Sequence, residues 1–339
     1  MKNKRIIRIM EVCGTHTMAI ARYGIKNLLP GHIQLISGPG CPVCVTAQED
    51  LDKAIQIAQL PDVIMTTYGD MMRVPGNRTN LLSIKKQGAD VRVVYSCLDA
   101  LKTAQDNPQK KVVFMGVGFE TTAPTIAETI REAKKQKINN FFVLANLKLL
   151  FPALDALADA PDLRVDGFIC PGHVSVITGT APYKKFAQKF KKPCVITGFL
   201  DTDIIKGIKR LIELIHAHKH TVEIEYTRAV KHAGNATARK LLSSVFSPSE
   251  ASWRGLGVLK KSGLTFKPAY KHFDADKEFN IKISKKNPIT GCICGDILRG
   301  VHTPQDCRLF KKRCTPQQPV GPCMVSSEGT CAAYFKYGH

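Results

Sequence analysis

Three cysteines and a histidine fall in two short loops near the start of the chain. Cys13 and His16 lie in the segment CGTHT, and Cys41 and Cys44 lie in GPGCPVC. A Cys-x-x-Cys pair lowers the pKa of a thiol and lets one sulfur resolve a mixed disulfide, which dithiol exchange requires. A thiolate at Cys13 suits a transition metal such as iron, and the imidazole of His16 could donate a proton or hold a ligand. The structural alternative for the first loop is that Cys13 is a buried cysteine beside helix-capping residues. For the second loop, it is that Cys41 and Cys44 form a reduced, inert turn.

Six more cysteines are concentrated in the Gly- and Pro-rich segment after residue 290. They are Cys292, Cys294, Cys307, Cys314, Cys323 and Cys331. Because the cytosol keeps ordinary thiols reduced, a disulfide framework is not the expected use of the chain's 12 cysteines. A 4Fe-4S cluster needs four thiolates, whereas a zinc ribbon would show two close Cys-x-x-Cys knuckles, which this segment lacks. We therefore expect a 4Fe-4S cluster with two spare thiols, and zinc is the alternative.

The elements that position these loops alternate between strand and helix as far as residue 215. Eight short apolar runs are predicted strands: 6–12, 33–36, 63–67, 91–95, 111–115, 141–145, 167–169 and 194–197. Helical spacing follows several of them, for example at Leu51, Ala54, Ile55 and Ala58. Such alternation predicts parallel sheets, in which ligands bind beyond the carboxyl ends of the strands.

The predicted fold class is α/β, with two similar open parallel-sheet βα domains and a C-terminal iron–sulfur cluster domain. The dipeptide at 107–108 suggests boundaries of 1–107, 108–215 and 216–339; a closed eight-fold barrel is the alternative. Either arrangement brings the two thiol loops to one face with TYGDMMRVPG, GVGFETTAP and PGHVSVITG. Glu120 and His173 lie in the last two, either as titratable groups facing the thiols or as structural caps.

The net charge of +21 favours acidic partners of any kind, including nucleic acid. The lysines are scattered in pairs, however, which is more typical of solvated helix faces than of a nucleic-acid groove. A nucleic-acid-binding protein that carries a cluster remains a third hypothesis, but it would leave the strand-end motifs unexplained. No run approaches a signal peptide or a membrane span, so we expect a soluble cytoplasmic protein with no membrane partner.

Several motifs, taken in order, resemble the HypD family, whose members assist assembly of the iron centre of nickel-iron hydrogenases. They are CGTHT, GPGCPVCV, GDMMRVPG, GFETTAP, PGHVS, WRGLG, CGDIL, PQDCRLF, CTP and MVSSEGTCAAY. The resemblance runs from about Ile9 to Tyr337 and implies an assembly scaffold with redox activity. It implies that a complex with the chaperone HypC carries iron while cyanide, from HypE, and carbon monoxide are attached, giving an Fe(CN)2CO intermediate.

The resemblance also implies roles for individual residues. Iron falls on Cys13, with a second thiolate from HypC, and the redox pair that could also assist metal coordination falls on Cys41 and Cys44. Three titratable groups would manage protons: His16, Glu120 and His173. The cluster ligands fall on Cys294, Cys307, Cys314 and Cys331, leaving Cys292 and Cys323 as spare thiols.

Two further expectations complete this reading. Family members carry a helical segment ahead of the strand that leads to CGTHT, whereas this chain starts a few residues before Ile6. We expect this difference to affect packing or docking rather than chemistry.

The alternative function is an iron–sulfur disulfide reductase that acts on a partner protein through Cys41 and Cys44 and needs no iron at Cys13.

Overall fold

The computed structural model describes residues 5–283 and 291–338. Within these ranges the strands are β1 (Ile7–Glu11), β2 (Ile33–Ser37), β3 (Val63–Thr67), β4 (Val91–Val93), β5 (Lys111–Gly118), β6 (Phe141–Leu147), β7 (Gly167–Pro171), β8 (Cys194–Thr197), β9 (Val222–Ile224), β10 (Phe246–Trp253) and β11 (Gly257–Phe266). The α-helices are α1 (Gly14–Arg22), α2 (Ile25–Leu28), α3 (Pro42–Val45), α4 (Gln48–Ala58), α5 (Leu81–Lys86), α6 (Cys97–Asp106), α7 (Ala123–Lys135), α8 (Leu150–Ala158), α9 (Gly172–Thr178), α10 (Ala181–Phe190), α11 (Asp201–His216), α12 (Ala236–Val245), α13 (Ala275–Phe279), α14 (Cys294–Leu298) and α15 (Thr330–Tyr337). Short 3-10 helices cover Gly69–Arg73, Pro268–Phe273, Pro304–Asp306 and Pro322–Met324.

Two open parallel sheets form the framework. The first has the strand order β2-β1-β7-β8-β9, and the second has the order β4-β3-β5-β6. The β3 residues are all buried, as are those of β5 after Lys111, because helices cover both faces of a parallel sheet. All eight predicted strands are confirmed, and the two open sheets confirm the α/β class over the closed barrel.

The division of strands between the sheets differs from the prediction. We expected the first four strands in one sheet and the next four in another, with a boundary at residue 107. Instead, β3 pairs with β5 across that boundary, and β1 pairs with β7. Because a parallel crossover can return to any free strand edge, the chain leaves the first sheet after β2, builds the whole second sheet, and then returns.

The C-terminal third completes these sheets before it forms the cysteine-rich segment. Strand β9 extends the first sheet beside β8, so residue 215 does not mark the end of that sheet. The antiparallel hairpin β10-β11 lies against the end of β6, where the Leu149 amide donates to the Ser262 carbonyl at 2.8 Å. The buried cysteines of the C-terminal segment share one hydrophobic core with side chains of both sheets, including Met10 and Met115.

Local sequence explains the helices that follow the site loops. Leu51, Ala54, Ile55 and Ala58 form the buried face of α4, as their spacing predicts. Pro124 lies in the first turn of α7, where its missing amide hydrogen costs nothing. In the described ranges, no helix combines the length and apolar character that crossing a bilayer would require.

Candidate metal and thiol site

The two thiol loops are in direct contact at the carboxyl edge of the first sheet. Strands β1 and β2 pair in register up to Glu11 and Ser37, and the Gly14 amide then donates to the Gly40 carbonyl at 3.1 Å. A Cβ at Gly40 would lie only 2.1 Å from the Cys13 nitrogen. The close approach therefore depends on glycine at this position, and it brings Cys13 beside the loop that carries Cys41.

Cys13 is buried at the N-terminus of α1. Burial raises the pKa of its thiol to about 12, although the backbone amides of His16 and Thr15 favour the thiolate. Glu328 raises this pKa further, and its carboxylate accepts a hydrogen bond from the Thr15 hydroxyl at 2.5 Å. A cation at Cys13 would offset the desolvation that disfavours the thiolate, so this position is suited to binding a metal as thiolate.

Cys41 and Cys44 form a contacting pair at the start of α3. The Cys44 thiol donates to the Cys41 sulfur with an Sγ–Sγ distance of 2.7 Å, and the Cys44 amide also donates to that sulfur at 3.3 Å. Cys41 precedes Pro42, whose fixed φ suits the first position of the helix. Both thiols are buried, and burial is the main cause that raises the pKa of Cys44 well above its ordinary value.

A series of neighbouring thiols, which we call the sulfur chain, extends from this pair into the C-terminal segment. Cys44 neighbours Cys323, Cys323 neighbours Cys294, and Cys294 neighbours Cys292. The adjacent Cys294 and Cys44 thiols lower the pKa of Cys323, which favours its thiolate. The resemblance left Cys323 as a spare thiol, whereas in the structure its side chain neighbours both Cys44 of the dithiol and Cys294.

All six C-terminal cysteines line one cavity, which is closed by apolar side chains such as Ile297, Phe310 and Met324. The Val320 amide donates to the Cys314 sulfur at 3.3 Å. In the described part of the chain, no three His, Cys, Asp or Glu side chains are placed to hold a single metal ion. A 4Fe-4S cluster is held differently, by four thiolates from loops that surround it. The six cysteines around this cavity can supply four such thiolates.

His16 points away from solvent, toward the end of β8. Its Nε2 lies 2.8 Å from both the Gly198 carbonyl oxygen and the Thr197 hydroxyl, and burial lowers its pKa to about 4. A carbonyl oxygen can only accept, so Nε2 carries the proton of the neutral ring. Nδ1 is then an acceptor, and it has no hydrogen-bond partner among the described residues. At neutral pH His16 is therefore a neutral ring that donates a hydrogen bond at Nε2 and can accept one at Nδ1.

His173 lies on the same edge as His16. The ring of Phe199 is 4.8 Å from the ring of His16 and 4.2 Å from that of His173, which is exposed. Pairing of β7 with both β1 and β8 brings the PGHVS loop to this position. The two predicted histidines are therefore joined through Phe199, which the sequence analysis did not single out.

Glu120 occupies a different environment. Its Oε1 accepts from the Leu150 amide at 2.9 Å, Oε2 has no partner in the described ranges, and burial raises its pKa to about 7. The neighbouring Phe119 stacks on Trp253, which bridges to Thr46 just beyond α3. The GFETT loop thus supports the dithiol loop, but the described hydrogen bonds do not link Glu120 to Cys13 or to either histidine.

Sequence reasoning also missed Glu11, two residues before Cys13. The hydroxyls of Ser37 and Thr17 donate to its Oε1 at 2.6 and 3.3 Å, and burial raises its pKa to about 7. Its only sequence signal is an acidic residue in an apolar strand. Elsewhere, the Ser326 hydroxyl donates to Asp70 at 2.9 Å, so the C-terminal segment also contacts the GDMMR loop.

Comparison with known proteins shows the family of this chain. The model of the HypD family, described as "Hydrogenase formation hypA family", matches residues 1–338. The chain is 47% identical to hydrogenase maturation factor HypD2 of Bradyrhizobium diazoefficiens, over 98% of this chain and 89% of that protein. It is 44% identical to hydrogenase maturation factor HypD of Escherichia coli, over 98% and 90%. A putative hydrogenase expression/formation protein of Methanocaldococcus jannaschii is 44% identical, over 98% and 92%.

The two-sheet fold, its converging thiol loops and these comparisons together define a hydrogenase maturation factor. The chain belongs to the HypD family, as the resemblance of its motifs indicated.

Proposed function

We propose that this protein is a cytoplasmic scaffold on which iron receives its cyanide and carbon monoxide ligands before delivery to a nickel-iron hydrogenase. The observation that carries the proposal is the contact between the Cys13 loop and the Cys41 loop, through Gly14 and Gly40, together with the sulfur chain that continues from Cys44. Few other uses would explain so many neighbouring thiols.

Iron is the cargo in this proposal, and Cys13 holds it. A HypC-type chaperone supplies a second thiolate, and Cys41 and Cys44, whose loop contacts the Cys13 loop, assist. Cyanide on iron requires an electron-rich metal, and thiolate ligands supply that density. A HypE-type protein donates the cyanide in this scheme.

The six thiols around the C-terminal cavity are a donor set that suits a resident 4Fe-4S cluster, which would supply electrons one at a time. Cys307, Cys314 and Cys331 are proposed ligands, as the resemblance implied. For the fourth, the resemblance implied Cys294, but Cys294 neighbours Cys323 on the side of the dithiol as well as Cys292. We assign Cys292, at the far end of the sulfur chain, to the cluster instead.

That assignment leaves Cys294 and Cys323 as a second dithiol beside Cys41 and Cys44. The Cys323 thiolate attacks Cys44 of an oxidised pair, forming a Cys323–Cys44 disulfide and releasing the Cys41 thiolate, which takes up a proton. Cys294 then loses its proton and attacks Cys323, which releases Cys44. Two electrons pass to the first pair and the second pair becomes the disulfide.

Three groups manage protons in the proposal. His16 offers Nδ1, the atom that has no partner in the described structure, as a hydrogen-bond acceptor for a proton-bearing ligand, and exposed His173 lies beside the shared Phe199 ring. Glu120, whose pKa burial raises to about 7, exchanges a proton near neutral pH within the core.

The proposal is tested by purifying the chain together with a HypC-type chaperone and recording infrared spectra. Bands of iron-bound cyanide and carbon monoxide, together with the visible absorbance of a 4Fe-4S cluster, are the expected result. A complex that contains the cluster but never shows cyanide bands would contradict the scaffold.

The second candidate is the iron–sulfur disulfide reductase, which the sulfur chain also favours. It uses the same thiols but does not need Cys13. Reduction of a disulfide-containing partner protein at the same rate before and after Cys13→Ala would favour the reductase, whereas the scaffold predicts no such turnover.

A further inference from the structure

A cavity of about 710 Å³ opens beside the loop that carries Cys314. Helix α5 contributes one wall, and residues 312–320 contribute the other. Among the described residues that line it, the charged side chains are all cationic: Arg73, Lys86, Lys312 and Arg313. All four are exposed. The feature is therefore a positively charged depression, which we call the basic cavity.

The charges of the basic cavity are not neutralised within the molecule. None of its four cations takes part in an ion pair in the described ranges. Arg73 donates to the Pro316 carbonyl, which fixes the guanidinium against the opposite wall without cancelling its charge. Exposed Arg308 and Lys311 continue the run along the same loop. Uncompensated like charges around a depression focus a positive potential outward.

The basic cavity is separated from the cysteine cavity by a single layer of chain. Lys312 and Arg313 directly precede Cys314, whose buried side chain lines the cysteine cavity. Val320 lines the basic cavity, and its backbone amide donates to the Cys314 sulfur at 3.3 Å. A partner seated on the basic cavity would therefore lie next to the proposed cluster ligands.

We propose that the basic cavity docks an acidic one-electron carrier protein of the iron–sulfur class, and that electrons enter the cysteine cavity from it. The inference rests on the proposed function. One electron leaves the reduced carrier and enters the cluster, with no bond made or broken. Two such transfers, with two protons, match the reduction of one disulfide. Electron-transfer encounters use small interfaces steered by charge, which suits a depression of this kind.

The lining favours a protein partner over a nucleic acid. Grooves that bind single strands combine cations with aromatic side chains on which bases stack, and no aromatic side chain is among the described residues that line the basic cavity. Duplex binding would draw on many phosphate contacts along an extended surface rather than on four cations around one depression.

The test uses the cluster-loaded full chain and a purified acidic [2Fe-2S] ferredoxin as the probe. The substitution K312E/R313E reverses two charges, and K184E/K185E makes the same change on α10, where both lysines are exposed and do not line the basic cavity. Ferredoxin affinity is measured by calorimetry, and cluster reduction by stopped-flow absorbance. At low ionic strength, K312E/R313E should weaken binding and slow the second-order reduction by about tenfold or more, with the difference shrinking in high salt. The control should stay within about twofold.

A second variant tests whether K312E/R313E weakens binding only by disturbing the loop that carries Cys314. K86E lies on the opposite wall, in α5, and should weaken ferredoxin binding while the visible absorbance of the cluster is unchanged. Wild-type affinity in both basic-cavity variants, or an equal loss in the α10 control, would overturn the proposal. So would duplex DNA that binds more tightly than ferredoxin and is released by K312E/R313E. Wild-type protein that lacks cluster absorbance would instead contradict the proposed function, and this is seen before ferredoxin is added.

Discussion

Burial controls the protonation of three titratable groups near the strand ends of the two sheets. It raises the pKa of Glu11 and Glu120 to about 7 and lowers that of His16 to about 4. A raised carboxyl pKa means that the folded protein binds more protons than the unfolded chain between pH 4.5 and 7. The stability that such a group contributes is present below pH 4.5 and is lost as the pH rises through 7. His16 has the opposite effect: between pH 4 and 6.5 the unfolded chain binds more protons, so the stability of the folded protein rises with pH. Single variants are therefore needed to separate the contributions of the three groups.

Glu120→Gln isolates one of these contributions. Glutamine keeps an oxygen for the Leu150 amide but does not ionise. Between pH 4.5 and 8, the free energy of unfolding of the wild type should fall relative to that of the variant by about 3 kcal/mol, because one pKa unit corresponds to about 1.36 kcal/mol. Urea denaturation of both proteins across this range measures the difference. Exposed Glu250→Gln is the control, and parallel pH profiles for wild type and E120Q would refute the assignment.

Cys323→Ser tests the sulfur chain. A serine cannot form a mixed disulfide with Cys44, so we expect an oxidised Cys41/Cys44 pair to stay oxidised when electrons are supplied through a reduced ferredoxin. Alkylation followed by mass spectrometry reports the state of each thiol. Buried Cys97→Ser, on α6, is the matched control. Reduction of the pair in C323S at the wild-type rate would remove Cys323 from the relay.

At the scale of elements, the strand-end loops were predictable and their contacts were not. The apolar runs and glycine-rich turns of β1 and β2 show in the sequence, because periodicity and turn chemistry are local. The fit of Gly40 against Cys13 depends on which strands are neighbours, and the role of Cys323 depends on how a distant segment folds back. Neither leaves a local signal.

Gly40→Ala tests the contact between the loops. Its Cβ would lie 2.1 Å from the Cys13 nitrogen, and backbone on both sides must shift to relieve this overlap. We expect destabilisation by about 1–3 kcal/mol, as for overpacked cores, and loss of bound iron from the complex with the chaperone. Gly31→Ala is the control, since no atom lies within 4 Å of a Cβ there. Normal iron content and stability in G40A would show that the loops need not touch.

For the whole molecule, the sequence predicted two open parallel sheets correctly but divided the strands between them wrongly. All strands of both sheets are short and apolar, and a crossover helix suits either sheet, so the pattern does not encode the return of β7 to β1. The first sheet therefore encloses the second in chain order, and a cut near residue 107 separates β3 from β5.

A fragment of residues 1–107 should accordingly fail to fold alone. Strand β1 would lack β7, and β3 would lack β5, which leaves long unpaired edges and half of each core exposed. Circular dichroism and urea titration should show no cooperative transition for the fragment, whereas the full chain unfolds cooperatively. A cooperative transition in the fragment would mean that the boundary at residue 107 does mark a folding unit.

The central claim is that Cys13 holds the iron that receives cyanide. The most direct test is infrared spectroscopy of the complex with a HypC-type chaperone, comparing wild type with Cys13→Ala and with Cys97→Ala as the control. The account predicts that C13A abolishes the iron–cyanide bands while leaving the visible absorbance of the cluster intact, and that C97A retains both. Cyanide bands of undiminished intensity in C13A would contradict it.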